Sequence, residues 1–208
     1  MTKHLEHTQK TKELIDGLKT VCSNYGLANT GYEYKIITEV FLYKFLNDKF
    51  LHEARNANKK LKDSKNIEAD IQSMKDNDYA YMLEKIGERS AKLKKTHFIS
   101  YLFNKQNEKD FSITFDTTLT EIAATNIKIF SVSTIGGERI PLFEELSENI
   151  REKNERSPFC KAIINKLVAF SFEPVFEEKY DFFSTIFEYL IKDYNKDSGQ
   201  YAEYYTPP

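Results

Sequence analysis

Apolar side chains recur at helical spacing over most of the chain. Leu14, Ile15, Leu18 and Val21 fall on one face, and Asn24-Tyr25-Gly26 offers a stop, so the pattern predicts a helix from about Leu5 to Asn24. After the turn Asn29-Thr30-Gly31, the residues Ile36, Ile37, Val40, Phe41, Phe45 and Leu46 form a stripe that Leu42 and Phe50 widen around the axis. A helix apolar on so many sides belongs at the centre of the fold. Tyr79 to Lys95 reads as a further helix. Phe111-Ser112-Ile113-Thr114-Phe115 alternates with period two and predicts a short strand. Ile127 to Val132 and Glu138 to Leu142 flank Gly136-Gly137, where positive φ is cheap, and predict a small hairpin. Helical patterns return over Leu142 to Asn154, after Pro158 (Ile163, Ile164, Leu167, Val168, Phe170) and over Tyr180 to Tyr194.

The expected fold is therefore mainly α, a helical bundle-like domain with one or two short β-hairpins. Seven glycines and five prolines in 208 residues support this, because a many-stranded sandwich would need more turn residues of both kinds. The longest apolar runs fall far short of the ~18 to 20 residues of a membrane span, so the chain is not expected to cross a bilayer. The N-terminus lacks the continuous apolar stretch of a secretory signal, and a cytoplasmic location is expected.

Charge adds a polarity that the apolar pattern does not show. Thirty Lys and Arg balance thirty-two Asp and Glu, so the whole chain is no polycation, but residues 55–65 carry five basic side chains against Asp63. A second basic run at 85–95 contains Lys85, Arg89, Lys92, Lys94 and Lys95 against Glu88, while Glu138 through Asp193 holds twelve acidic residues and eight basic ones. Lys59, Lys60, Lys92, Lys94 and Lys95 are thus candidate contacts to DNA phosphates, against the alternative that a charge run is a solvated face. The 13 Tyr and 16 Phe fall mainly on core positions such as Phe41, Phe45, Phe170, Phe183 and Phe187, which favours packing over base stacking.

Catalytic chemistry finds no foothold. His4 and His7 could share a helix face but have no third ligand at suitable spacing, so no metal is expected. Cys22 and Cys160 lack a Cys-x-x-Cys partner and are expected to be reduced packing residues. No serine stands in a nucleophile elbow, and Gly136-Gly137 lacks the strand-turn-helix setting that cradles a phosphate.

Two stretches carry a family resemblance in combination. The first runs from Gly31-Tyr32-Glu33-Tyr34-Lys35 into Val40-Phe41-Leu42-Tyr43-Lys44-Phe45-Leu46-Asn47-Asp48-Lys49-Phe50. The second runs from Ile186-Phe187-Glu188-Tyr189-Leu190-Ile191 to Thr206-Pro207. In this order they resemble the modification (M) subunit of type I restriction-modification systems, which shows a Phe-Leu-Lys-Tyr-x-x-Asp-like helix and later a Tyr-Glu-Tyr-Leu helix before Gly-x-Phe-Tyr-Thr-Pro. Tyr205, Thr206 and Pro207 match the last motif, with Tyr204 in the place of its Phe and Gly199 further upstream than usual.

The resemblance implies a helical N-terminal domain over 1–195, then a linker and the start of a methyltransferase core over 196–208. It implies S-adenosylmethionine as the cofactor of the parent enzyme, with Tyr204, Tyr205, Thr206 and Pro207 at its pocket only when the core is present. It also implies a specificity subunit, a second M subunit, a restriction subunit and double-stranded DNA as partners. The Gly-rich cofactor turn and the Asn/Asp-Pro-Pro-aromatic loop of such a core do not occur in these residues. The one proline pair, Pro207-Pro208, follows Thr206 and has no Asn or Asp before it. The catalytic motif is therefore expected beyond Pro208, no catalytic residue is assigned, and these 208 residues alone are expected to be inactive. The alternative is a standalone helical adaptor that meets protein partners through exposed aromatics and has no methyltransfer role.

Overall fold

The computed structural model of the chain describes residues 3–88, 90–129, 132–133 and 139–176. The predicted helix Tyr180 to Tyr194 and the sequence 196–208 lie outside the described residues. So do the site residues Tyr204, Tyr205, Thr206 and Pro207, and Pro208, past which the catalytic motif is expected. What is described is mainly helical. Helix α1 spans Lys3–Asn24, close to the boundaries its periodicity predicts, and α2 spans Gly31–Ala57, beginning at the expected turn. Thr30 fixes the start of α2. Its hydroxyl accepts the Glu33 N–H at 3.2 Å, and Glu33 reaches back to the Asn29 N–H at 3.0 Å, satisfying donors that a helix start leaves open.

The second helix is the axis of the fold. Ile36, Ile37, Val40, Phe41, Tyr43, Leu46 and Phe50 are all buried along it, and α1, α3 (Ile67–Ser73), α4 (Asp76–Ile86), α7 (Lys153–Val168) and α8 (Glu173–Phe176) pack around it. A second hub is α7, whose Phe159, Cys160, Ile163, Ile164 and Leu167 face α1, α5 (Ile99–Lys105) and α6 (Phe111–Thr125). Phe172 packs the segment after α7 onto α2. Its ring meets Phe41, Phe45 and Phe170 edge-on at centroid distances of 5.0, 5.6 and 4.8 Å.

Five local expectations are corrected. Phe111 to Phe115 is the first turn of α6 and not a strand. Over fifteen residues Phe111, Phe115, Leu119, Ile122 and Ala123 follow a helical period, and Ile113, which completed the apparent alternation, is left 65% exposed. The helix predicted over Tyr79 to Lys95 begins earlier, at Asp76, and stops at Ile86. Gly87 adopts φ 93° there, a conformation that favours glycine, and Lys92 folds back to donate to the Leu83 and Gly87 carbonyls at 2.6 Å each.

The helix predicted over Leu142 to Asn154 is a loop with one short 3₁₀ turn, Ser147–Asn149. Phe143, Leu146 and Ile150 are buried as their spacing requires, but Asp116 of α6 binds the Ser147 N–H and hydroxyl and holds the chain away from a regular helix. Helix α7 already begins at Lys153, so Pro158 lies inside it and not at its start. The predicted hairpins are not supported. Residues 127–129 form a turn, and pairing between Val132–Ser133 and Arg139–Ile140 is two residues long on each side.

Candidate functional site

The five lysines proposed from the sequence divide into two kinds. Lys59 and Lys60 sit on a 3₁₀ turn, Lys59–Leu61, that follows α2, and both are exposed. Among the described residues neither ammonium group has a partner. The other three are engaged. Lys92 is half-buried and closes the end of α4 through the two carbonyls above, with its ammonium pKa lowered by burial. Lys94 pairs with Glu121 at 2.7 Å. Lys95 donates to the Met74 carbonyl, pairs with Asp76 at 3.2 Å and lies over the Tyr79 ring.

The segment that carries these three is fixed by side chains remote in sequence. Asn126 pairs with both backbone groups of Lys92, accepting its N–H at 2.6 Å and donating to its carbonyl at 2.9 Å, as a neighbouring strand would. His97 is 1% exposed. Its Nδ1 accepts the Lys94 N–H at 3.2 Å, which places the ring proton on Nε2, where it donates to Glu121 at 3.0 Å. Burial lowers the pKa of His97 against the opposing pull of Glu121, while hydrogen bonds from His97 and Lys94 lower that of Glu121.

Helix α2 holds a polar centre inside its apolar wall. Tyr43 donates to the His97 carbonyl at 2.7 Å, and burial raises its phenol pKa well above the usual value. Asn47 accepts the Ile99 N–H at 3.1 Å and donates to Glu68 at 3.2 Å. Lys44 and Asp48 form a buried pair at 2.9 Å, and the second Asp48 oxygen accepts the Phe172 N–H at 2.8 Å. One turn of α2 thereby ties together α3, the start of α5 and the approach to α8. In the pair Lys44–Asp48 each buried charge is matched by the other, and removing either partner of such a pair costs about 3 to 5 kcal/mol.

This polar centre opens into a cleft of about 470 Å³. Lys44, Asp48, His52 and Arg55 line one wall, Lys65 and Glu68 the next, and Val168, Ser171 and Glu173 the far side. Arg55 stands 3.5 Å from Glu173, and its Nε is buried without a hydrogen-bond partner. A second cleft of about 530 Å³, more apolar, lies between α1 and α7 around Leu14, Ala169 and Phe170.

The polar cleft contains both Ser171 and His52, but among the described residues no hydrogen bond joins the Ser171 hydroxyl to His52 or to a carboxylate. Among the described residues no group of three His, Cys, Asp or Glu could hold a metal ion. Burial pushes the Cys22 thiol up to about 12 and the Cys160 thiol well above its ordinary range, so both stay protonated packing groups. The arrangement can hold charge and position chain segments. The sequence carried a signal for the polar centre that periodicity passed over, namely Lys44, Asn47 and Asp48 inside an otherwise apolar run. Asn126 and Asp116 carried none, since their partners lie 34 and 31 residues away. No described helix is long and apolar enough to cross a membrane. In comparisons with known proteins, no family model, no curated protein and no solved structure matches the chain.

Proposed function

We propose that the chain is the helical N-terminal domain of a type I DNA adenine methyltransferase, an assembly module that embraces DNA beside a specificity subunit. Methyl transfer from S-adenosylmethionine to the exocyclic amine of adenine would belong to a core whose motifs these residues do not contain, and a second M subunit and a restriction subunit complete the proposed assembly. One observation carries the reading. The helix whose sequence resembles the family's first motif is the axis on which the described fold is built, and its Lys44, Asn47 and Asp48 form the joint that holds the segment at Phe172. From there the sequence runs on to Tyr189-Leu190 and Tyr205-Thr206-Pro207, the second motif. An N-terminal motif that anchors the chain shortly before the second motif supports a domain that leads into a methyltransferase core.

The test is reconstitution. The full-length product of the gene, purified with its specificity subunit, should transfer labelled methyl groups from S-adenosylmethionine to adenine in duplex DNA. Titrated alone, these 208 residues should bind no cofactor. Absence of methyl transfer by the full-length assembly would exclude the reading, and saturable cofactor binding by the 208 residues would show the pocket to be misplaced.

A further inference from the structure

The two basic runs do not have equal claims on a polyanion. Residues 59–65 form a knuckle between α2 and α3 that is pinned from beneath and free above. Leu61 is 2% exposed and Ile67 is buried beyond it. Asn58 caps the 3₁₀ turn through the Lys60 N–H at 3.0 Å, Asn66 caps α3 through the Ala69 N–H at 3.1 Å, and Ser64 is tied to Asp70. Above these anchors Lys59, Lys60, Lys62 and Lys65 are all exposed, with Asp63 the one carboxylate within the knuckle. None of the four ammonium groups is paired among the described residues.

At the far end of the knuckle Lys65 lines the polar cleft together with Arg55. Arg55 brings an unpartnered Nε and a loose 3.5 Å contact to Glu173, a contact that a tighter anionic partner would displace. We infer that the knuckle 59–65, with Arg55 at the cleft mouth, is the surface on which this protein holds the phosphate backbone of duplex DNA, and that the run at 92–95 is not. The inference deepens the reading above and rests on it for the identity of the polyanion as DNA.

The chemistry fits a sequence-independent contact. Lysines are point charges without the fixed fork that reads base edges, and no aromatic side chain lies between them on which a base could stack. A knuckle already held by its caps loses little backbone freedom when DNA arrives, so its charges act without first being ordered.

The experiment compares the full-length protein, assembled with its specificity subunit, with two charge-matched variants. One carries K59Q, K60Q, K62Q and K65Q; the other carries K75Q, K109Q, K128Q and K153Q, four exposed lysines elsewhere. Binding of labelled duplexes of several sequences is followed by anisotropy across a salt series, and the thermal midpoint of each variant is recorded as a check on folding. The knuckle variant should lose about tenfold or more in affinity for every sequence. Its dependence of log K on log salt should flatten by about 0.9 for each lysine that meets a phosphate. The control should keep most of the wild-type slope.

An unchanged slope, or equal losses in both variants, overturns the inference and leaves the knuckle to meet an acidic protein surface instead. An altered sequence preference would overturn it too, since base readout would then reside here. The two readings can fail separately. Methyl transfer with an unmoved salt slope sinks the knuckle alone, whereas DNA binding through the knuckle without methyl transfer sinks the methyltransferase reading.

Discussion

The stretches 55–65 and 85–95 look alike as sequence, each with five basic residues and little acid, yet the structure uses them in opposite ways. In the first, the apolar Leu61 goes inward and the lysines point to water. In the second, Lys92 caps a helix end, Lys94 meets Glu121, and Lys95 spans Met74 and Asp76. Charge density therefore says little about whether a cation is available. Availability depends on whether acceptors from other elements reach it, and Lys92 is within reach of two carbonyls because α4 ends at Gly87.

The contrast is most exposed at its anchors, where the largest effects should appear. Leu61→Ala would empty a fully packed position under the knuckle and should destabilise the protein by about 2 to 4 kcal/mol. Asn126→Ala would strip both backbone groups of Lys92 of their partners and should cost about 2 to 3 kcal/mol, since buried groups left unpaired lose more than the bonds themselves. Urea denaturation midpoints measure both. If Asn126→Ala changes stability by less than about 1 kcal/mol, the second run is not held as described and its lysines regain a claim on DNA.

Next in size is the lysine that acts as a cap. Lys92→Met keeps the aliphatic stem but removes the donor to Leu83 and Gly87, and should lower stability by about 1 to 2 kcal/mol. The same change at Lys59 removes no hydrogen bond among the described residues. A Lys92→Met variant as stable as the wild type would mean that its ammonium contributes nothing to the end of α4.

These positions also show what the sequence made legible. Helices α1 and α2 could be read from it because long, strongly periodic stripes are bounded by local stop and turn residues, Asn24-Tyr25-Gly26 and Asn29-Thr30-Gly31. The start of α6 reads as a strand because five residues from Phe111 fit period two as well as period 3.6, and only Leu119 and Ile122 decide between them. The stretch 142–154 buries Phe143, Leu146 and Ile150 but forms no regular helix, because Asp116 offers its backbone a better partner. For the candidate site the limit was distance. Which lysines are engaged depends on Asn126, Glu121 and the carbonyls of Leu83 and Met74, and no local pattern announces such contacts.

A third, smaller effect is set by pH through His97, which borders the second run and has no counterpart in the first. Burial depresses its folded-state pKa below the ordinary 6.5, so the unfolded chain takes up the proton first. The stabilisation by the neutral ring is present above the unfolded value and is lost as pH falls from there through the folded one, at no more than about 1.4 kcal/mol per pH unit. Glu121, whose pKa is lowered, adds its own loss only at more acidic pH, below the carboxylate's ordinary 4.5. Denaturation at about pH 7.5 and about pH 5.5 should therefore show a loss in the wild type that His97→Gln does not share. Equal losses in both proteins would remove His97 as the cause.

The smallest effects belong to the exposed lysines themselves, and here the two runs should nearly converge. Lys94 and Glu121 are 2.7 Å apart, but with side chains 56% and 42% exposed the pair is screened by water, so Lys94→Gln should cost less than about 1 kcal/mol. About 0.5 M salt should shrink that cost further, because exposed ion pairs weaken as the screening length falls. The double variant K59Q/K60Q loses no ion pair among the described residues and should stay within about 0.5 kcal/mol of the wild type at any salt, with a slight gain at low salt where the like charges of Lys59, Lys60 and Lys62 repel. A loss above about 1 kcal/mol in K59Q/K60Q would show that these lysines already have partners within the protein. The distinction between a free knuckle and a committed run would then collapse, whatever the DNA-binding measurements showed.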